Sequence, residues 1–317
     1  MNAIVRPTID FHSHYVDPSF ELTTTKGLSG ASASHWHAIN RLIADEGSLL
    51  ESVQSGDLSA RVVNSPTAFI ADADGNVDDD IYRRFNDNLA ELAGRHSGQI
   101  YGLATVDTFG GEAAARELER AVKDLALRGV FLESARGELL LDAPSARPVL
   151  ATAARLGIPV FAHPVNPQPL SRQLSSYGRL GTLLARGTIN SATLIALVES
   201  GALEELPDLK IVVTALAIGG ILLASTFGDH SRVPDLAATL RKNIYVDTMG
   251  FNPALIRSAV DVLGVDNVLA GSDWPILNTD AINARADVAF TAAGLDEAAR
   301  SKISSENALR LLRVKQD

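Results

Sequence analysis

Cysteine is absent from this 317-residue chain, so it can hold neither a disulfide framework, a thiolate metal site nor a cysteine nucleophile. Any metal must be held by imidazole and carboxylate. Basic tracts are missing too: 28 Lys and Arg stand against 38 Asp and Glu, for a formal charge of −10, which argues against a nucleic-acid partner. No run of 18 apolar residues suggests a membrane span. The opening MNAIVRPTIDFHSH lacks the charged-then-apolar layout of a secretory signal, so a cytoplasmic location is expected. Aromatic residues make up only 5 % of the chain, which makes the few near any chemistry worth following.

What is present is core-forming material, 46 % apolar residues with 21 % charged, arranged as short β-branched runs separated by helical stretches. The runs fall at Thr8–His14, Ala60–Ile70, Gln99–Asp107, Gly129–Glu133, Ile158–His163, Lys210–Leu216, Asn243–Thr248 and Asn267–Asp273. Several, such as IPVFAH, are apolar at nearly every position, as expected of strands covered on both faces. Helices are expected at Asp78–Arg95, Glu112–Leu127, Ala146–Leu156, Thr188–Ser200, Pro253–Leu263 and Asp280–Ala293, with a last one near Leu295–Leu312. Eight alternations predict an α/β fold of the (β/α)8 type, a distorted TIM barrel forming one domain over 1–317. Residues 16–59 make a longer first βα connection than a barrel needs and read as an irregular lid or subunit-contact insertion.

In such barrels the chemistry sits where strands end. The first strand ends in IDFHSH, the fifth in FAHP and the eighth in AGSDWP. Alternate strand residues share a face, so His12 and His14 can aim at one point, with Phe11 turned away into packing. Closure of the barrel brings Asp273 beside them, and His163 approaches across the mouth. A lone strand-end histidine is more often a hydrogen-bonded structural residue, but four ligands gathered at one end point to a cation. Three imidazoles and a carboxylate suit Zn2+, and also Mn2+, Co2+ or Fe2+.

The other histidines carry less. His35 and His37 form a second H-x-H inside the irregular insertion, and His96 and His230 flank helix ends, where capping or exposure explains them. Trp36, Tyr177 and Trp274 could stack on a planar ligand, although core or interface packing accounts equally for each.

These motifs resemble the amidohydrolase superfamily, in its branch around aminocarboxymuconate semialdehyde decarboxylase and the nonoxidative hydroxybenzoate decarboxylases. The resemblance runs through IDFHSH, GIPVFAHP, ALVESGALEELPDLKIVV with its following Gly-Gly, and GSDWP. It implies His12, His14, His163 and Asp273 as metal ligands. It also implies a histidine just before the Gly-Gly pair, where this chain has Ala215, Leu216 and Ala217, and after it an arginine that binds the substrate carboxylate across a dimer contact, where Asp229 stands with Arg232 nearby. Arg232 and Arg172, with Trp36 and Trp274, are the candidate substrate contacts.

The activity so implied is metal-dependent nonoxidative decarboxylation of a hydroxylated aromatic or heteroaromatic acid, such as a hydroxybenzoate, a dihydroxypicolinate or a muconate semialdehyde. Asp273 would serve as both ligand and proton shuttle, and the protein would be a homodimer or homotetramer. Two alternatives stay open: hydrolysis of a lactone or cyclic amide by metal-bound hydroxide, and a non-catalytic barrel that binds a ligand.

Overall fold

Segments that are apolar at nearly every position become strands only if both their faces are covered, and several of the eight strands that frame the molecule are of this kind. The computed structural model describes residues 8–26, 29–72, 77–78, 80–277 and 280–314. Its frame strands are β1 Thr8–His14, β2 Leu58–Asn64, β3 in two pieces (Ile100–Gly102 and Ala104–Thr105), β4 Val130–Glu133, β5 Pro159–His163, β6 Lys210–Val213, β7 Ile244–Asp247 and β8 Val268–Leu269. Each pairs with the next in parallel. Within β3 the ladder changes partner at one residue: Leu103 N–H donates to Val63 O at 2.8 Å and Ala104 N–H to Gly129 O at 2.9 Å. Between β1 and β8 the ring closes through Phe11 N–H donating to Ala270 O at 2.8 Å and a parallel bridge from Ser13 to Trp274. The expected eight-stranded barrel is therefore formed.

Side chains from all around the ring fill its interior, among them Phe11, Val62, Phe131, Phe161, Val212 and Leu269. An outer apolar layer joins the strands to α3 Ile81–Arg95, α4 Gly111–Lys123, α5 Arg147–Leu156, α6 Gly178–Glu199, α7 Ile218–Thr226, α8 Leu236–Asn243, α9 Pro253–Leu263 and α10 Ile282–Ala292, while Ala308 and Leu311 of α11 Asn307–Leu311 pack with the interior cluster.

Several boundaries differ from expectation. β2 stops at Asn64 rather than Ile70, because Pro66 has no N–H to offer a ladder and Thr67–Phe69 wind into a tight turn. The insertion holds two helices, α1 Gly30–Ile43 and α2 Glu46–Ser55, where an irregular segment was expected. Asp45 caps α2 by accepting Ser48 N–H at 2.7 Å, and Ile39 and Ile43 of α1 pack with Val16, Phe20 and Phe69. α6 begins at Gly178 rather than Thr188, and α7 and α8 were not foreseen. The expected last helix is broken into Glu297–Ser301, a wide turn over Lys302–Glu306, and α11.

The stretch Leu170–Glu199 is long and apolar enough to cross a membrane by length and composition alone. Two of its polar side chains are instead spent on the barrel: Asn190 Nδ2 donates to Ala162 O at 2.9 Å, and Thr193 Oγ1 donates to Ser134 O.

Candidate metal centre

The site begins with an irregularity in β1. Its register against β2 slips between Asp10 and Ser13, so strict alternation fails across IDFHSH. As a result Phe11 does not turn away from the histidine side: it packs in the barrel floor, 6.1 Å from the Phe161 ring, with the His12 ring 4.9 Å from that same phenylalanine. A buried anion on the outer side holds the slip in place. Asp10 accepts hydrogen bonds from His12 N–H (3.1 Å), Ser272 N–H (2.9 Å), Ser13 Oγ (3.1 Å) and Ser272 Oγ (2.6 Å), and pairs with the Arg61 guanidinium. Burial pulls the Arg61 pKa down to about 10, partly restored by Asp10. Its guanidinium lies 5.0 Å from the centre of the Trp274 ring.

On the inner side, His12, His14, His163 and Asp273 present ligand atoms that all lie within 4.8 Å of one another. Asp273 Oδ1 is 3.3 Å from His12 Nε2 and 3.2 Å from His14 Nε2. Both paired histidines are oriented through their other nitrogen. His12 Nδ1–H donates to Asp247 Oδ2 at 2.7 Å, and His14 Nδ1–H donates to Asn64 Oδ1 at 2.8 Å. These bonds leave each Nε2 with a free lone pair facing the cluster. His12 Nε2 is buried and has no hydrogen-bond partner, an arrangement that costs free energy unless something at the centre accepts its lone pair. The donor set therefore fits a divalent cation.

Charge follows the same logic. Burial opposes the protonated ring of His12, but Asp273 and Asp247 outweigh it and raise its pKa. For His14 and His163 burial dominates and holds both pKa values below the ordinary value, His163 well below, which favours the neutral rings that a cation would need. Burial would raise Asp273, yet His12 and His14 keep its carboxyl below the usual range. Asp273 has a partly open side chain, 14 % exposed. It stands in the left-handed region at φ 62°, with its N–H donating to His12 O at 2.9 Å and its carbonyl accepting from Ile276 and Leu277. Gly271 is needed two residues earlier, since a Cβ there would lie 2.9 Å from that of Asp247 and 3.1 Å from that of His12.

The candidate substrate contacts are distributed differently. Trp274 is 2 % exposed and stacked on Arg61, so it supports the slip in β1 instead of lining the mouth. Arg172 lies exposed on the short turn Leu170–Leu174. Arg232 is exposed, and its backbone N–H donates to Glu199 at the far end of α6, so it too is away from the cluster. Trp36 stays close: its ring is 6.1 Å from Phe69, whose ring is 6.3 Å from His14. His35 is exposed on α1, 3.3 Å from Arg179 Nη1, and His37 is exposed beside it. His96 meets Glu46 at 2.6 Å, and exposed His230 ends a single turn after α7. Tyr177 is 71 % exposed.

Ala215 and Ala217 are buried in a tight turn after β6, and Ala215 N–H donates to Asp247 Oδ1 at 2.8 Å. The turn thus reaches the cluster through its backbone. Three residues of the mouth had no mark in the sequence. They are Asp247 itself, Glu133, whose carboxyl is pushed up by burial and accepts from Thr67 Oγ1 at 2.9 Å, and Arg186 of α6, whose charge acts on Asp273 and His163.

Comparison with known proteins agrees with this geometry. The family model described as Amidohydrolase matches residues 9–314, and the chain belongs to that family. A gamma-resorcylate decarboxylase from Rhodococcus jostii (strain RHA1) is 31% identical over 260 residues, 74% of this chain and 77% of the relative. Another from Polaromonas sp. (strain JS666 / ATCC BAA-500) is 29% identical over 272 residues, 80% of this chain and 82% of the relative. Among solved structures, a dihydroxybenzoic acid decarboxylase from Polaromonas with bound manganese and 2-nitroresorcinol superposes with TM-score 0.82 at 24% identity, covering 98% of both chains. The 5-carboxyvanillate decarboxylase of Sphingomonas paucimobilis gives TM-score 0.81 at 22% identity, covering 98% of this chain and 99% of that one.

Proposed function

We propose that this protein is a metal-dependent carboxy-lyase that removes CO2, without oxidation, from a hydroxylated aromatic acid. The observation that carries the reading is the convergence of His12, His14, His163 and Asp273, with His12 Nε2 unpartnered, in a chain whose relatives are decarboxylases of hydroxybenzoates. Manganese, which the Polaromonas neighbour holds, suits this three-nitrogen, one-oxygen set, as does zinc. The hydrolytic alternative is not favoured, since the matched relatives whose names state an activity are decarboxylases.

Decarboxylation leaves an electron pair on the ring carbon, which must be stabilised and then protonated. When bound, the cation supplies electron withdrawal and a fixed point for the substrate's oxygens. The chain does the rest. Asp247 and Asn64 hold the imidazoles in the tautomer that faces inward. Phe69 and Trp36 wall the mouth and exclude water from the ring's face. Asp273 is the carboxylate beside the reacting carbon, and it moves the proton: it takes one from a substrate hydroxyl and returns it to carbon, and the phenolate so formed regains a proton from solvent as the neutral product leaves. No imidazole stands at Ala215–Ala217 to share that task.

A homodimer is part of this proposal. Tyr177, Leu180 and Leu184, at 71 %, 78 % and 60 % exposure, repeat at helical spacing along the outer face of α6, an apolar stripe suited to a second copy. The test of the activity is turnover of 2,6-dihydroxybenzoate by the manganese-loaded protein, read as CO2 release. Loss of that release on chelation and its return with metal support the reading, and CO2 release that survives complete chelation contradicts it.

A further inference from the structure

Helix α6 overhangs the barrel mouth, and one of its cations is poised above the metal centre without an ion pair to any carboxylate of the described residues. Asn190 fixes the helix to the strand ends, donating to Ala162 O of β5 and accepting from Thr214 N–H and Oγ1 at 3.2 Å and 2.9 Å just past β6. Arg186 lies four residues earlier, on the same face and about 6 Å nearer the mouth. Its Nη1 reaches only the neutral Asn166 Oδ1, at 3.4 Å, and no carboxylate of the described residues comes within 4.0 Å of its guanidinium. Two turns further toward the helix start, Arg179 likewise pairs with no carboxylate of the described residues: Nη1 meets His35 Nε2 at 3.3 Å and Nη2 donates to Ile276 O at 3.2 Å. The two arginines repel each other, and Asp273 is the acidic group whose field steadies Arg186. Once Asp273 is committed to a cation, that compensation is weakened.

We propose that Arg186, backed by Arg179, is the residue that grips the carboxylate of the aromatic acid. The proposal rests on the decarboxylase reading and names an anion contact from within the same chain, where Arg172 and Arg232 lie away from the cluster. An enclosed guanidinium without an anion is costly, and a carboxylate satisfies it with two parallel charge-assisted hydrogen bonds that a phenol cannot supply. The contact also gives the reaction a direction. Loss of CO2 deletes the group that Arg186 holds, so the neutral phenolic product loses its grip while the acid is retained.

The experiment is calorimetric binding to manganese-loaded protein, comparing 2,6-dihydroxybenzoate with resorcinol, its neutral decarboxylated counterpart, in wild type, Arg186→Met and Arg186→Lys. Retained thermal stability and metal content qualify each variant. Arg186→Met is expected to weaken the acid about 10- to 100-fold while resorcinol changes by less than about twofold, and Arg186→Lys to fall between, because it restores charge without the planar fork. Acid binding within about twofold of wild type in Arg186→Met overturns the assignment. So does equal weakening of both ligands, which marks a disturbed mouth rather than a lost anion contact. Binding is read without turnover, so a wild type that binds the acid through Arg186 yet releases no CO2 overturns the decarboxylase reading and leaves the anion contact standing.

Discussion

Asp247 touches no substrate in this account, yet its charge decides whether His12 can bind a cation. Its Oδ1 accepts from the N–H groups of Ala215 (2.8 Å) and Met249 (3.0 Å), and its Oδ2 accepts from His12 Nδ1–H (2.7 Å), all fully buried. In Asp247→Asn the amide oxygen keeps the two backbone donors, because the amide nitrogen cannot accept from them. The nitrogen must then face His12 Nδ1 and donate to it. The imidazole answers by moving its proton to Nε2, the atom that should hold the metal. Loss of such an orienting partner typically lowers metal affinity about 10- to 100-fold, equivalent to about 1.4–2.8 kcal/mol. Competition of Mn2+ between the protein and a fluorescent chelator reads this directly, and Asp247→Glu, which keeps the charge but shifts it by one methylene, should lose less. Mn2+ affinity of Asp247→Asn within a factor of about two of wild type would refute the reasoning.

Three further expectations follow from the same geometry. Gly271→Ala drives a methyl group against the side chains of Asp247 and His12, and overpacking of this kind costs about 1–3 kcal/mol; thermal unfolding should show the loss together with weakened metal binding. Asp273→Asn should keep much of the metal through three imidazoles but lower kcat at least about 100-fold, the usual scale for a positioned proton carrier, and near-normal turnover would remove Asp273 from that role. Acid should destabilise the metal-free protein. Below about pH 6.5 the unfolded chain protonates its histidines while buried His14 and His163 refuse the proton, so stability falls by up to about 1.4 kcal/mol per pH unit for each of them. His12, with its pKa raised, takes its proton in the folded state first and so partly offsets that fall until the unfolded histidines are fully protonated. His163→Phe should flatten the decline in melting temperature between pH 6.5 and 5.5, and an unchanged slope would contradict the assignment.

The barrel and the convergence of the four candidate ligands were legible because both are written locally: strands buried on two faces give apolar runs, and the four residues fall at the ends of such runs. Geometry that depends on distant partners was not legible. Asp247 meets His12 across 235 residues of chain, and nothing in NIYVDTMG marks it. The slip in β1 depends on Asp10, Arg61 and Ser272 coming together, so local alternation misplaced Phe11 and offered Trp274 to the substrate rather than to Arg61. α6 was read from Thr188 because GRLGTLLARG has three glycines and no single apolar stripe. One face of that segment looks into the mouth and another outward, and Arg186 was lost with it. Family expectation pointed past the Gly-Gly pair for an arginine, whereas the cation facing the metal centre comes from the helix after β5.

The central claim is that four side chains of this chain hold a cation that makes decarboxylation possible. It is tested most directly by measuring 13CO2 from carboxyl-labelled 2,6-dihydroxybenzoate with chelated protein, manganese-reconstituted protein, and a reconstituted His12→Ala, His14→Ala double variant. The account predicts release from the reconstituted wild type alone. Equal release from the chelated protein or from the double variant would contradict it.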